Sequence, residues 1–435
     1  MRCRTRCSRH RRRETRRRGR QRCSLWSCGG FPPFDAGKLD QARRGVNGSA
    51  ARPIEDSVPG YSGILPTMRN VILPIIGLLL LASPLQARAA SATLLPPGAL
   101  STSGAQIVGQ DGHPVRLTCV GWNQVNEGIS LDRQTALMAQ HGFNCIRFSW
   151  VNATMQADLR MIDRVAAAAS KAGLRLVLDN HTNEPGHGDR DNWGAQQKNG
   201  LWYDLGGASD DTDGGGNKGT VTDAKFLADW QAVARHYAGN PTVIAYDLRN
   251  EPLDYPHMSI WGGGGDRDIR AMYERVGNAI LAIDPHKLIV VEPPNSDCRR
   301  VRKYPLSLDV PGKLVYSVHE YPGEISAQKV SSGPALIERM NRMWGWLINE
   351  NIAPVFVGEM GSSMISDQSR AWAATIVPYL NGTGSDGLKI APNGKGVSTD
   401  WWAWGHLAGQ NPNGTLKADW VTPRPEQEAV YSKLR

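Results

Sequence analysis

The chain has 435 residues and a formal net charge of +9, a length that suits one large domain or two medium ones. The charge is local: residues 1–67 carry 16 Lys/Arg against 5 Asp/Glu, while residues 68–435 carry 34 against 36. A near-neutral remainder excludes an electrostatic footprint for nucleic acid on the main body of the chain, so no nucleic-acid partner is expected.

The basic arm has no apolar periodicity, and its Cys3, Cys7, His10 and Cys23 fit no zinc-ligand spacing. Met68-Arg69-Asn70 reads as a basic n-region, Val71 to Ala82 as an apolar h-region, and Ala87-Arg88-Ala89 as a small-x-small cleavage pattern. We therefore expect a signal peptide over 68–89, secretion, no stable membrane anchor, and residues 1–67 as an upstream extension. Residues 90–104, rich in Ala, Ser, Pro and Gly, are expected as a linker. Of the seven cysteines, Cys119, Cys145 and Cys298 lie beyond the leader. Cys119 and Cys145 fall on neighbouring core strands and are expected first as buried small hydrophobes, with a disulfide as the alternative.

Gln106 to Leu117 reads as two short strands around the Asp111-Gly112 turn, a hairpin able to plug the bottom of a barrel. Eight strands are then expected: 117–125, 144–150, 174–181, 243–251, 287–292, 314–321, 353–360 and 399–404. Helical periodicity is found over 131–141, 158–172, 223–237, 266–283, 334–350, 368–380 and 426–434, with Gly142 and Gly173 as stops. The segment between the fifth and sixth strands has little helix of its own. The alternation predicts an α/β fold, a (β/α)8 TIM barrel with long βα loops, spanning 105–435. The longest loop, 182–222, contains Asp210-Asp-Thr-Asp-Gly-Gly-Gly-Asn217. It lacks the Glu that ends an EF-hand loop, so no metal is expected there.

Catalytic groups of such barrels sit at the C-terminal ends of strands. Those ends carry Arg147, His181, Asn250-Glu251, His319 with Tyr321, Glu359, and Asp400-Trp-Trp402-Ala-Trp404. Taken alone, Glu251 reads equally well as a cap on the following helix. Glu251 and Glu359 together, on opposite sides of a barrel mouth, suit glycoside hydrolysis, with one carboxyl kept neutral as acid and the other ionised. Arg147 and Tyr321 are placed to support an ionised carboxylate, Asn250 to meet a sugar hydroxyl, and Trp404 to offer a flat face to a pyranose ring. Strand alternation would put Trp402 and Trp404 on the face of Asp400.

Asn250-Glu251-Pro252, His319-Glu-Tyr321 and Gly358-Glu359-Met-Gly361, with Arg147 and the strand-eight tryptophans, resemble glycoside hydrolase family 5, the cellulase family of clan A. The resemblance runs from about residue 105 to the end and is closest to bacterial secreted endoglucanases. It implies a retaining mechanism with Glu251 as acid/base and Glu359 as nucleophile, held ionised by Arg147 and Tyr321. It places Asn250 on the 2-hydroxyl, His181 and His319 along the cleavage subsite, Trp404 as its floor, and Trp402 and Trp122 nearby. No cofactor is implied, and the expected partner is a β-glucan chain acted on by a monomer. The chain departs from the family pattern at Trp122-Asn-Gln, Glu320, Met360 and Gly405-His406. The expected function is a secreted endo-β-1,4-glucanase. The alternatives are a β-mannanase, xyloglucanase or exo-β-glucosidase of the same family, or a catalytically inactive carbohydrate-binding barrel.

Overall fold

Each of the eight expected strand runs forms a strand, and together they close on themselves. The computed structural model describes residues 94–183, 200–204, 221–254, 258–326, 330–383, 385–390, 394–406 and 414–434. The basic arm, the leader and the Asp-rich run of the long loop lie outside them.

Three short strands, β1 (Ser101–Ser103), β2 (Gln106–Val108) and β3 (Pro114–Val115), form an antiparallel sheet. The pair β2–β3 is the hairpin expected around Asp111-Gly112, where Gly112 takes φ +76°. Strand β1 is a correction: it lies in the stretch expected as a linker, and Leu95 and Leu100 from that stretch are buried. These leucines and Ile107 cover the barrel bottom, so the segment is held by apolar burial that its Pro/Gly-rich composition concealed.

The barrel strands are β4 (Thr118–Trp122), β5 (Cys145–Val151), β6 (Arg175–Thr182), β7 (Val243–Asp247), β8 (Leu288–Val291), β9 (Leu314–Glu320), β10 (Val355–Met360) and β11 (Ser398–Trp401). They pair in parallel in chain order, and β11 returns to β4. The helices are α1 (Leu131–Gln140), α2 (Met155–Lys171), α3 (Asp223–His236), α4 (Ile269–Leu281), α5 (Gly323–Ser326), α6 (Gly333–Met340), α7 (Trp346–Asn349), α8 (Asp367–Leu380) and α9 (Pro425–Tyr431). Side-chain oxygens of Ser130, Thr222, Asp268 and Ser366 cap α1, α3, α4 and α8. Gly142 and Gly173 follow α1 and α2 at φ +88° and +74°, the left-handed conformation that ends helices there. Between β8 and β9 the described chain forms only two 3-10 turns, Pro294–Ser296 and Cys298–Arg302, as the missing periodicity implied.

Alternation sorts the strand residues into two environments. Val120, Ile146, Phe148, Leu176, Leu178, Tyr246, Ile289, Val318 and Val357 face outward into the apolar layer shared with the helices. Inside, the lower layer is apolar: Cys119, Cys145, Val177, Ala245, Val290, Val315 and Phe356. Cys119 and Cys145 stand directly opposite on β4 and β5 and form a disulfide, with Cα atoms 4.3 Å apart. The first expectation, two separate thiols, is therefore corrected; Cys298 is buried and free. Above this layer the interior becomes charged, and the site begins.

Candidate active site

The two residues after Cys145 carry β5 from the apolar layer to Arg147, whose guanidinium is fully buried on the barrel axis. It donates from Nε to Asp247 Oδ2 (2.9 Å), from Nη1 to Glu359 Oε1 (2.9 Å) and from Nη2 to Asn250 Oδ1 (2.8 Å), and Nη2 also lies 2.9 Å from Asp179 Oδ1. Burial works against the charge, but Asp179, Asp247, Glu359 and Asp400 outweigh it and keep the guanidinium firmly protonated. Asp247, in the same crowd, is pushed up to about 6, first by burial.

Glu359 reaches the interior through an irregularity. Strict alternation from Phe356 (inward) would turn Glu359 toward the helices. Between Val357 and Glu359 the pairing of β10 with β9 slips by one residue, so Glu359 sits opposite His319. The bulge re-aims the side chain into the barrel. There Tyr321 donates its hydroxyl to Glu359 Oε2 at 2.8 Å. Gly358 is the extra residue, and a Cβ on it would lie 2.3 Å from Ser317 Oγ and 3.3 Å from His319 Nε2.

Glu251 stands across the mouth, four residues past the end of β7 on an irregular exit. Its backbone is left-handed, φ +44°, and its N–H donates to Glu292 Oε2 at 2.8 Å. It does not cap a helix: the next one, α4, is capped by Asp268. Its side chain is 29% exposed, and Oε1 lies 2.8 Å from His319 Nδ1. One carboxylate oxygen of Glu251 and one of Glu359 lie within 4.8 Å of each other, with the same His319 ring between them. The fold therefore brings the two carboxyls together at the barrel mouth. Burial raises the Glu251 carboxyl, but the hydrogen bond and charge of His319 prevail and leave it below its ordinary value. His319 is moved the opposite way: burial lowers it, but Glu292, Glu359 and Glu251 carry it up to about 10.

His181 lines the same cavity. Its Nδ1 lies 2.5 Å from Asp179 Oδ2 and its Nε2 3.4 Å from Asn250 Nδ2. Its ring stacks on Trp402, with centroids 5.3 Å apart and planes 12° off parallel. Gly121 makes room for that indole, since a Cβ there would meet Trp402 at 2.4 Å. Of the strand-eight tryptophans, Trp402 borders the site and is only half-buried.

Two expected aromatics are elsewhere. Trp404 has no exposed surface and packs against His141 at the end of α1, so it forms no floor. Strand β11 ends at Trp401, and alternation does not extend to Trp404. Trp122 is also fully buried, edge-on to Phe148 in the helix-facing layer. Of the departures from the family pattern, Glu320 faces outward, accepts from Trp344 Nε1 and pairs with Arg339, which makes it a structural acid.

Four buried acids escaped the sequence reading as site residues: Asp179 and Asp247 on Arg147, and Glu292 and Asp400. Asp400 lies in the charged layer with no hydrogen-bond partner on either oxygen among the described residues, and burial pushes it well above the carboxylate range. Glu292 directly follows β8, beside His319 and Glu251. A carboxylate after the apolar run Leu288–Val291 is the same signal that drew attention to Glu251, and it was available in the sequence.

The profile of the cellulase family, glycosyl hydrolase family 5, matches residues 108–407. The chain belongs to that family. This family 5 glycoside hydrolase is 27% identical to an endoglucanase of Paenibacillus polymyxa over 397 residues, which cover 80% of this chain and 89% of the relative. It is 25% identical to the major extracellular endoglucanase of Xanthomonas campestris over 376 residues, covering 76% and 69%. Among solved structures, the endocellulase of the archaeon Pyrococcus horikoshii superposes with a TM-score of 0.63 at 20% identity, covering 78% of this chain and all of that one. The catalytic domain of the Xanthomonas enzyme gives 0.60 at 22% identity, with coverage of 77% and 99%.

Proposed function

We propose that this family 5 glycoside hydrolase is a secreted, retaining endo-β-1,4-glucanase. The observation that carries the reading is the approach of Glu251 and Glu359 within 4.8 Å across the barrel mouth. Carboxyls about 5–5.5 Å apart leave no room for a water between acid and base and act by double displacement, whereas inverting pairs stand roughly 6.5–9.5 Å apart. Relatives named as endoglucanases, one of them as extracellular, support the activity and the export. A variant of the archaeal endocellulase has been solved with cellotetraose, which supports a β-glucan as substrate.

In the first step Glu359 attacks the anomeric carbon while the leaving oxygen takes a proton from Glu251. A glycosyl ester forms on Glu359 as the glycosidic bond breaks. Arg147 and Tyr321, each bonded to one Glu359 oxygen, hold the carboxylate aimed. In the second step Glu251 takes a proton from water, which attacks the same carbon and frees Glu359. Trp402, not Trp404, supplies the apolar face for the ring, with His181 behind it. Asn250, its Oδ1 held by Arg147, turns its amide nitrogen toward the sugar's 2-hydroxyl.

The test is product release from carboxymethylcellulose, lichenan, glucomannan and xyloglucan by the mature enzyme, with azide rescue of Glu359→Gly. Internal cleavage of β-1,4-glucan and a glycosyl azide of inverted configuration are expected. Rescue with retained configuration would move the nucleophile role away from Glu359.

A further inference from the structure

The mechanism above leaves a difficulty. A general acid should hold its proton near working pH, yet Glu251 sits beside a histidine that depresses it. The geometry behind that histidine suggests an answer. The Glu292 carboxylate spans the two things that define Glu251. Its Oε2 accepts from the Glu251 backbone N–H at 2.8 Å and lies 3.5 Å from His319 Nε2, the far side of the ring whose Nδ1 meets Glu251 Oε1. Its Oε1 accepts from Ser296 Oγ at 2.8 Å, and that same oxygen accepts from the His319 backbone N–H at 2.8 Å. Glu292 is 2% exposed, so these contacts are made out of water, where a charge is screened less than at the surface.

We propose that Glu292 is a positioning residue for the acid/base: it fixes the left-handed backbone of Glu251 and, through His319, holds the proton that Glu251 delivers. The inference rests on the reading of Glu251 as acid/base. Glu251 and His319 act as a pair sharing one proton, which rests on Nδ1 in the free enzyme. As the glycosidic oxygen develops charge, that one proton passes from His319 Nδ1 to Glu251 and on from the Glu251 carboxyl to the leaving oxygen, which leaves Glu251 a carboxylate. The imidazolium becomes neutral imidazole, and the electrons of the broken C–O bond stay on the protonated leaving group. In the second step the proton taken from water reloads the pair.

His319 faces Glu251 from the exit of β7, Glu292 from β8 and Glu359 from β10, with Asp247 and Asp400 deeper in the barrel, and Glu251 also feels His181 of β6 and Arg147 of β5. Glu292 itself faces His319 and Glu251, with Tyr273 of α4 and the Cys298 thiol behind it. Burial, opposed by His319, pushes Glu292 up to about 8. A carboxylate this close raises the proton affinity of the pair, and removing it lowers that affinity.

The test compares pH profiles of kcat/KM for the wild type, Glu292→Gln and Ser296→Ala. Glu292→Gln keeps the length and an acceptor for the Glu251 N–H but not the charge. Its alkaline limb is expected to move to lower pH by about one unit, a tenfold loss of activity above the limb. Ser296→Ala removes the donor that stabilises the Glu292 anion, should move the limb the same way by less, and carries the test if Glu292→Gln does not fold. The Glu292→Gln loss should be larger on phenyl cellobioside, whose leaving group needs a proton, than on dinitrophenyl cellobioside, whose leaving group does not. An unmoved alkaline limb, or equal losses on both aryl glycosides, overturns the proposal. Glu251→Ala run beside them separates the two readings. If it keeps full activity on phenyl cellobioside, the acid/base assignment itself fails. If it loses activity there while Glu292→Gln keeps the wild-type limb, only the role of Glu292 fails.

Discussion

Replacing both Cys119 and Cys145 with alanine tests the barrel's lower layer without touching its charged one. The bridge joins neighbouring strands and closes a loop of 26 residues that contains all of α1. Chain-entropy bookkeeping for a loop of that length gives about 3.5 kcal/mol of stabilisation, acting through the unfolded state. Removing two buried sulfurs from an apolar layer adds about 1 kcal/mol of lost packing. For a domain of roughly 300 residues the unfolding entropy is about 0.6 kcal/mol per degree, so Tm should fall by about 5–8 °C. The assay is scanning calorimetry of the double variant and of the wild type with and without reductant. Arg147 lies two residues above Cys145 with its own set of partners, so kcat/KM at 25 °C should stay within about threefold of wild type. A Tm within a degree of wild type, or two titratable thiols in the unreduced wild type at these positions, would refute the reasoning.

The two strand-eight tryptophans should separate cleanly. Trp402→Ala removes a half-buried platform and is expected to cost at least about tenfold in kcat/KM, ~1.4 kcal/mol, with little change in Tm. Trp404→Ala empties a buried site and should cost about 3–5 kcal/mol of stability, read by denaturant unfolding. If Trp404→Ala weakened substrate binding more than Trp402→Ala at full stability, the floor would belong to Trp404 after all. Asp158, raised to about 6 chiefly by burial, binds its proton more tightly folded than unfolded. Its contribution to stability is therefore present below about pH 4 and lost as pH rises through 6. Asp158→Asn should then gain stability over wild type at pH 8 and show none of that gain at pH 4; equal gains at both would exclude the titration.

What the sequence by itself determined is what depends on neighbours along the chain. Apolar runs ending in polar residues identified the eight strands and the exits that carry Arg147, His181, Glu251, His319 and Glu359. Helix stops at Gly142 and Gly173 were legible because only a left-handed residue ends those helices cheaply. Tertiary structure decided what depends on pairing and direction. The disulfide follows from the register that sets Cys119 opposite Cys145. Glu359 points inward because a bulge at Gly358 breaks alternation, and a reading by period alone would turn it away. Trp404 is lost to the core because β11 ends before it. Glu292 could be seen as a strand-exit carboxylate, but its meaning lies in three contacts, to residues 251, 296 and 319, that only the closed barrel brings together. For Glu251 the sequence supplied the residue and its position at a strand exit, and the fold supplied the histidine and second acid that govern its proton.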